Sequence, residues 1–196
     1  VNHNGNLKMV KKLILAAKRA GADAVKFQSY ITEEFLSSKK FKHPIGSKKL
    51  NAFRMFKRLE FKDNWYAKVD NICKKNKIEF LTSVADIESA KKYLSLNKKI
   101  LKIASDDLIN YPFLEYLSKL KNKIIILSTG MATYEEIKDA LKIMLNKKNI
   151  IILMHCVSLY PTNDKEINLG RILNLKKKFN IEVGFSDHTI GMNALY

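Results

Sequence analysis

The feature that most constrains this chain is an alternation. Six apolar, β-rich runs (24–28, 78–84, 100–105, 124–128, 150–155 and 183–186) are separated by segments with helical spacing. Strand followed by helix, repeated, predicts a parallel sheet with crossover helices. The runs are nearly all apolar, as expected of strands covered on both faces. Helical patterns fall between them: Leu7, Val10, Ile14 and Ala17 share one face and Gly21 stops it. Asp63 and Asp86 stand where N-caps are expected, Pro112 suits a first helical turn, and Thr133 with Glu136 forms a capping box. Leu169, Ile172, Leu175 and Phe179 mark a last helix.

No glycine-rich dinucleotide fingerprint or phosphate loop follows any strand, which leaves a barrel or an open sheet. A full TIM barrel takes about 250 residues. The 196 residues here predict an α/β chain of the TIM (β/α)8 type, incomplete, with the first and last strands wholly or partly missing. The expected domain is 1–196, a partial catalytic barrel. The exception to the regular spacing is 30–62, which carries Pro44 and Gly46 and reads as a long loop of the kind that covers an active site.

Composition excludes other classes. No apolar run approaches the ~18 residues of a membrane span. The net charge of +17 raises nucleic-acid binding, but only four basic residues are Arg, the side chain that dominates base readout, and the lysines are scattered in pairs. A Lys-rich solvated surface is the expectation, with no nucleic-acid or membrane partner. Cys73 and Cys156 have no paired spacing, which fits a reducing cytoplasm.

In parallel α/β folds chemistry gathers where strands end. The ends carry Lys26 and Gln28; Thr82 and Ser83; Lys102, Ser105, Asp106 and Asp107; Ser128, Thr129 and Gly130; His155, Ser158 and Tyr160; and Ser186, Asp187 and His188. Lys26 and Lys102 stand inside apolar strands, and a buried ammonium needs an anion. With hydroxyls from Ser83, Ser105, Ser128 and Ser186 at equivalent positions, the expected guest is a phosphate or carboxylate. His188 is suited to a metal or a proton, whereas His155, deeper in its run, reads as a packed core group. The turn at 2–5 either opens the first helix or brings Asn2, His3 or Asn4 to the same mouth.

The stretches NHNG, GADAVKFQ, LKIASDD, NYPFLEYL, ILSTGMAT, HCVSLYPT and GFSDHT occur in one order across nearly the whole chain. Together they resemble the sialic-acid synthase group of phosphoenolpyruvate-condensing enzymes, which make nonulosonic acids. The resemblance implies a TIM-barrel domain that joins phosphoenolpyruvate to an N-acylated hexosamine aldehyde, releasing phosphate, with Mn2+ or Mg2+ as cofactor. It implies that Lys26, Lys102, Ser83, Ser105, Ser128, Ser158 and Ser186 surround phosphoenolpyruvate. Gln28, Asp107 and Tyr160 would lie near the sugar, and His188 would be one of two histidine metal ligands. Lys26, Lys102, Asp107 and His188 are the expected catalytic group.

The resemblance further implies a cytoplasmic protein that is a homodimer at full length. Against the family pattern, a glutamate expected just before Val1, a second metal histidine expected after Tyr196 and a C-terminal antifreeze-like cap are absent from these residues. Asp107 stands where neuraminate-type members often have Glu, LTSV replaces STP, and Ser158 replaces Asn. These changes lean toward the legionaminate branch. Another phosphoenolpyruvate-condensing sugar-acid synthase, an inactive remnant and a basic nucleic-acid-binding module are the alternatives.

Overall fold

The computed structural model describes residues 2–40, 42–45, 48–145 and 148–191. They fall into two compact units, Val1–Lys98 and Lys99–Tyr196. Gly46 lies outside the described residues. No described helix is long and apolar enough to cross a membrane.

In the first unit, helix α1 (Leu7–Arg19) starts where the Asn6 side chain accepts from the amides of Lys8 and Met9. Val10 and Ile14 are fully buried on its inner face. Gly21, at φ +83°, turns the chain away at the end, a conformation that glycine adopts without a Cβ penalty. Strands β1 (Ala24–Ser29) and β4 (Glu79–Val84) pair in parallel, with Ala24 opposite Glu79 and Gln28 opposite Ser83. Helices α4 (Tyr66–Lys75) and α5 (Ile87–Leu94) follow the crossover rule. Asp86 caps α5 as expected, accepting from the Ser89 amide at 2.6 Å.

Asp63 does not cap α4. It opens a 3-10 turn (Asp63–Trp65), and its carboxylate binds Lys92 at 2.7 Å instead. The core is aromatic: Phe27, Phe61, Phe80 and Tyr93 meet ring to ring, and the Tyr93 hydroxyl donates to the Phe80 carbonyl at 2.9 Å. Each buried ring is worth about 1.5–3 kcal/mol over exposure.

Segment 30–62 is not the loop its sequence suggests. It holds helix α2 (Thr32–Phe35), an antiparallel hairpin of β2 (Lys42–Ile45) and β3 (Lys48–Asn51), and helix α3 (Ala52–Leu59). Tyr30, Phe35 and Phe56 form a ring cluster there, with centroids 5.2–5.8 Å apart. The strands and α2, of four residues each, are too short to show a period, which is why the pattern hides them.

The second unit continues the strand and helix alternation. Strands β5 (Ile100–Ile103), β6 (Ile124–Ser128), β7 (Ile150–Cys156) and β8 (Val183–Ser186) pair in parallel in that order. Helices α6 (Tyr111–Ser118), α7 (Tyr134–Met144) and α8 (Gly170–Phe179) connect them. Pro112 occupies the first turn of α6, behind an Asn110 cap. The Thr133–Glu136 capping box opens α7. Leu101, Ile103, Ile125, Leu127 and Leu153 are fully buried strand residues, and Leu114, Leu117, Ile137, Ala140 and Met144 cover them from the helices. On α8 only Leu175 of the expected stripe is buried; Leu169 is exposed.

Candidate functional site

Two lysines set the pattern of the strand ends. Lys26 of β1 lies opposite Leu81, and its Nζ donates to Ser83 Oγ, two residues further along the neighbouring strand, at 3.2 Å. In the second unit Lys102 of β5 lies opposite Ile126, and its Nζ donates to Ser128 Oγ, again two residues further on. The same register offset recurs because a lysine side chain leaning along its strand reaches the next polar position on the adjoining one. Lys102 also donates to the Ile103 carbonyl at 2.7 Å.

The burial expected of both lysines holds for one. Lys102 is 9% exposed. Lys26 lies with Gln28 on the exposed face of β1, while Val25, Phe27 and Ser29 are turned inward. Its ammonium still feels the surrounding protein, and desolvation holds its pKa below the ordinary lysine value. Ser83 is buried beside it.

A second group of polar side chains converges on Gly130. Its amide donates to Ser105 Oγ at 3.1 Å, and Ser105 Oγ sits 3.2 Å from Cys156 Sγ. A Cβ on Gly130 would lie 2.4 Å from Ser158 Oγ and 2.9 Å from both Cys156 Sγ and Ser105 Oγ. Glycine is therefore the residue that lets three strand-end side chains close on one point. An open cavity of about 580 Å3 lies against this group, lined in part by Thr129, Cys156, Val157, Ser158 and Arg171. The Lys102 ammonium with Ser128, and the hydroxyls of Ser105 and Ser158 beside Gly130, are groups of the kind that hold an anion.

Ser186 lies opposite Cys156 in the β7–β8 register and leads to His188. His188 Nδ1 is 2.6 Å from the Val157 carbonyl, which can only accept, so Nδ1 carries the proton. Nε2 then bears the lone pair, with Ser186 Oγ 3.5 Å away. Tyr160, 74% exposed, lies over the imidazole with ring centroids 4.3 Å apart. An imidazole oriented by a backbone carbonyl, with the lone pair on Nε2, is a donor of the kind that binds a divalent cation. It is one donor: among the described residues no group of three or more His, Cys, Asp or Glu side chains assembles a metal site.

The remaining expected residues divide. Asp107 Oδ1 accepts from Asn110 Nδ2 at 3.3 Å within its own 3-10 turn. His155 is a core group, as its sequence position suggests: 2% exposed, its Nε2 donates to the Ile167 carbonyl at 2.7 Å. His3 is not at a mouth. It is fully buried against Phe27, Phe61 and Trp65, its Nδ1 accepts from the Gly5 amide, and burial lowers its pKa. Cys156 was readable only as a thiol without a partner. The period of two that places Ser158 and Ser186 at the rim also places Cys156 there, and that was the signal to follow.

Comparison with known proteins identifies the family. Residues 13–196 match the NeuB family. The N,N'-diacetyllegionaminic acid synthase of Campylobacter jejuni is 40% identical over 98% of this chain and 60% of its own length. The N-acetylneuraminate-9-phosphate synthase of Drosophila melanogaster is 32% identical over 97% of this chain and 52% of its own. Among solved structures, the N-acetylneuraminic acid synthetase of Leptospira borgpetersenii superposes with a TM-score of 0.88 at 34% identity, over 98% of this chain and 64% of that one. The chain thus spans little more than half the length of the curated relatives it matches. The likeness also fixes the fold class as the TIM-barrel type, present in part. On the match over residues 13–196, the chain belongs to the NeuB family.

Proposed function

We propose that the protein condenses phosphoenolpyruvate with the open-chain aldehyde of an N-acylated hexosamine, giving a nine-carbon nonulosonic acid and free phosphate. The observation that carries the reading is the donor row of the second unit: Lys102 on Ser128, then Ser105, Gly130 and Ser158 closing on one point. The first unit supports it with the same Lys26–Ser83 pairing.

The chemistry suits these groups. The enol carbon of phosphoenolpyruvate forms a bond to the aldehyde carbon, the C=O π pair moves to the aldehyde oxygen, which takes up a proton to become a hydroxyl, and positive charge develops on the carbon bearing the phosphate. Water adds there and loses a proton, the C–O bond to phosphate breaks, and a ketone remains. In the second unit the fixed Lys102 ammonium orients the polyanion and stabilises the leaving phosphate, and hydroxyls of Ser105, Ser128, Ser158 and Ser186 hold its oxygens; in the first unit Lys26 and Ser83 are groups of the same kind. Asp107 and Tyr160 of the second unit, and Gln28 of the first, are the groups assigned to the sugar. His188 Nε2 would hold a divalent cation, Mn2+ or Mg2+, which when bound supplies Lewis-acid polarisation of the aldehyde oxygen. Ser158, Asp107 and the LTSV stretch favour a sugar of the legionaminate branch. The same reading places the full-length protein in the cytoplasm as a homodimer.

Calorimetric titration with phosphoenolpyruvate tests the anion site. Saturable binding is expected, weakened at least about tenfold by Lys102→Ala and by Lys26→Ala, since each removes a charge-assisted hydrogen bond. Unchanged affinity in both variants contradicts the reading. So does steeply salt-dependent binding to unrelated duplex DNA in place of phosphoenolpyruvate binding.

A further inference from the structure

The imidazole of His188 is held by a turn, and one hydroxyl closes that turn. His188 Nδ1 donates to the Val157 carbonyl at 2.6 Å. Five residues later, the Thr162 amide donates to the His188 carbonyl at 2.9 Å, and Thr162 bridges Thr189 in parallel. The segment from Val157 to Thr162 therefore grips His188 twice, by its side chain at one end and by its backbone at the other. Tyr160 sits between the two grips and lies over the ring. Inside the segment Thr162 is 5% exposed; its Oγ1 donates to the Leu159 carbonyl at 2.9 Å and lies 3.5 Å from the Val157 carbonyl, the same oxygen that takes the His188 proton.

We infer that Thr162 is a positioning residue: its hydroxyl closes the turn from Val157 to Thr162 and so holds the His188 imidazole as the Nδ1–H tautomer with Nε2 presented for a cation. The inference rests on reading His188 as a cation ligand and adds how this chain orders it. Losing the hydroxyl leaves the backbone grip in place but frees the Val157 carbonyl to drift. The imidazole then samples the opposite tautomer, in which Nε2 carries the proton and cannot bind a cation. Groups that orient a ligating histidine typically change cation affinity by about 10–100-fold when removed.

The test uses the full-length protein and three variants: Thr162→Val, which keeps the branched shape and the amide but loses the donor, Thr162→Ser, which restores it, and Thr162→Ala in case the valine does not fold. Two readouts are taken. The first is the 15N spectrum of His188 in cation-free protein at a pH where imidazole is neutral, assigned by its loss in His188→Ala. The second is Mn2+ affinity by electron paramagnetic resonance.

The expected result is a single Nδ1–H pattern in wild type and Thr162→Ser. Thr162→Val or Thr162→Ala should show a mixed pattern and Mn2+ binding weakened about tenfold. A wild-type imidazole spectrum in the valine or alanine variant overturns the positioning role, whatever Mn2+ does. Unchanged Mn2+ affinity in His188→Ala overturns instead the reading of His188 as a ligand, so the two failures are distinguishable.

Discussion

Gly130 shows how little freedom a single position can have. Any side chain there meets Ser158 Oγ at 2.4 Å, with Cys156 Sγ and Ser105 Oγ at 2.9 Å, all shorter than Cβ contacts tolerate. Gly130→Ala is expected to push Ser105 and Ser158 apart, at a cost of about 1–3 kcal/mol in overpacking. Its larger effect falls on the anion: phosphoenolpyruvate affinity by calorimetry should drop at least about tenfold, with cooperative unfolding retained. Affinity within twofold of wild type would show that the donor row does not hold the anion. At this scale the sequence was informative where chemistry is unusual for its setting. Lysines within apolar strands and four hydroxyls at strand ends announced themselves. Cys156 and Gly130 did not, since a small buried thiol and a glycine look like ordinary packing until the neighbouring strands are placed beside them. Lys26 was misread as buried because alternation along β1 leaves its face exposed.

Among the elements, the strands and most helices followed from period and capping, and the exceptions have physical reasons. The hairpin of β2 and β3 and the four-residue α2 carry no readable period. Asp63 has a competing partner in Lys92, distant in sequence, so its local cap signal misleads. The ion cluster that ties α4 to the start of β4 was equally illegible, because its members are scattered. Asp70 on α4 binds Lys98 and Lys74 at 2.6 Å each, and Lys98 also reaches Glu79 of β4 at 3.0 Å.

Burial alone would raise the pKa of Asp70, but the hydrogen bonds from Lys74 and Lys98 outweigh it and hold the carboxyl below its usual value. A depressed folded pKa contributes stability above the unfolded value of about 3.9, lost as pH falls through the folded one. Lys98→Met is expected to lower unfolding free energy by about 3 kcal/mol in denaturant titrations, because it strips a partner from a buried carboxylate. It should also flatten the acid limb of the stability profile. A variant as stable as wild type at pH 7, with the acid limb unchanged, would show the cluster to be incidental.

For the whole molecule, the net charge is +17. Several lysines, Lys91, Lys138 and Lys142 among them, are engaged with acidic neighbours one helical turn away, which marks a solvated surface more than a binding face. What carries the functional reading is the strand-end row, with the family match behind it. Its most direct test is phosphate release from phosphoenolpyruvate by the full-length protein, with Mn2+ and a panel of N-acyl hexosamines. The account predicts release that depends on one class of N-acylated sugar and is abolished by Lys102→Ala. A folded, cation-loaded protein that releases no phosphate with any sugar of the panel would contradict it.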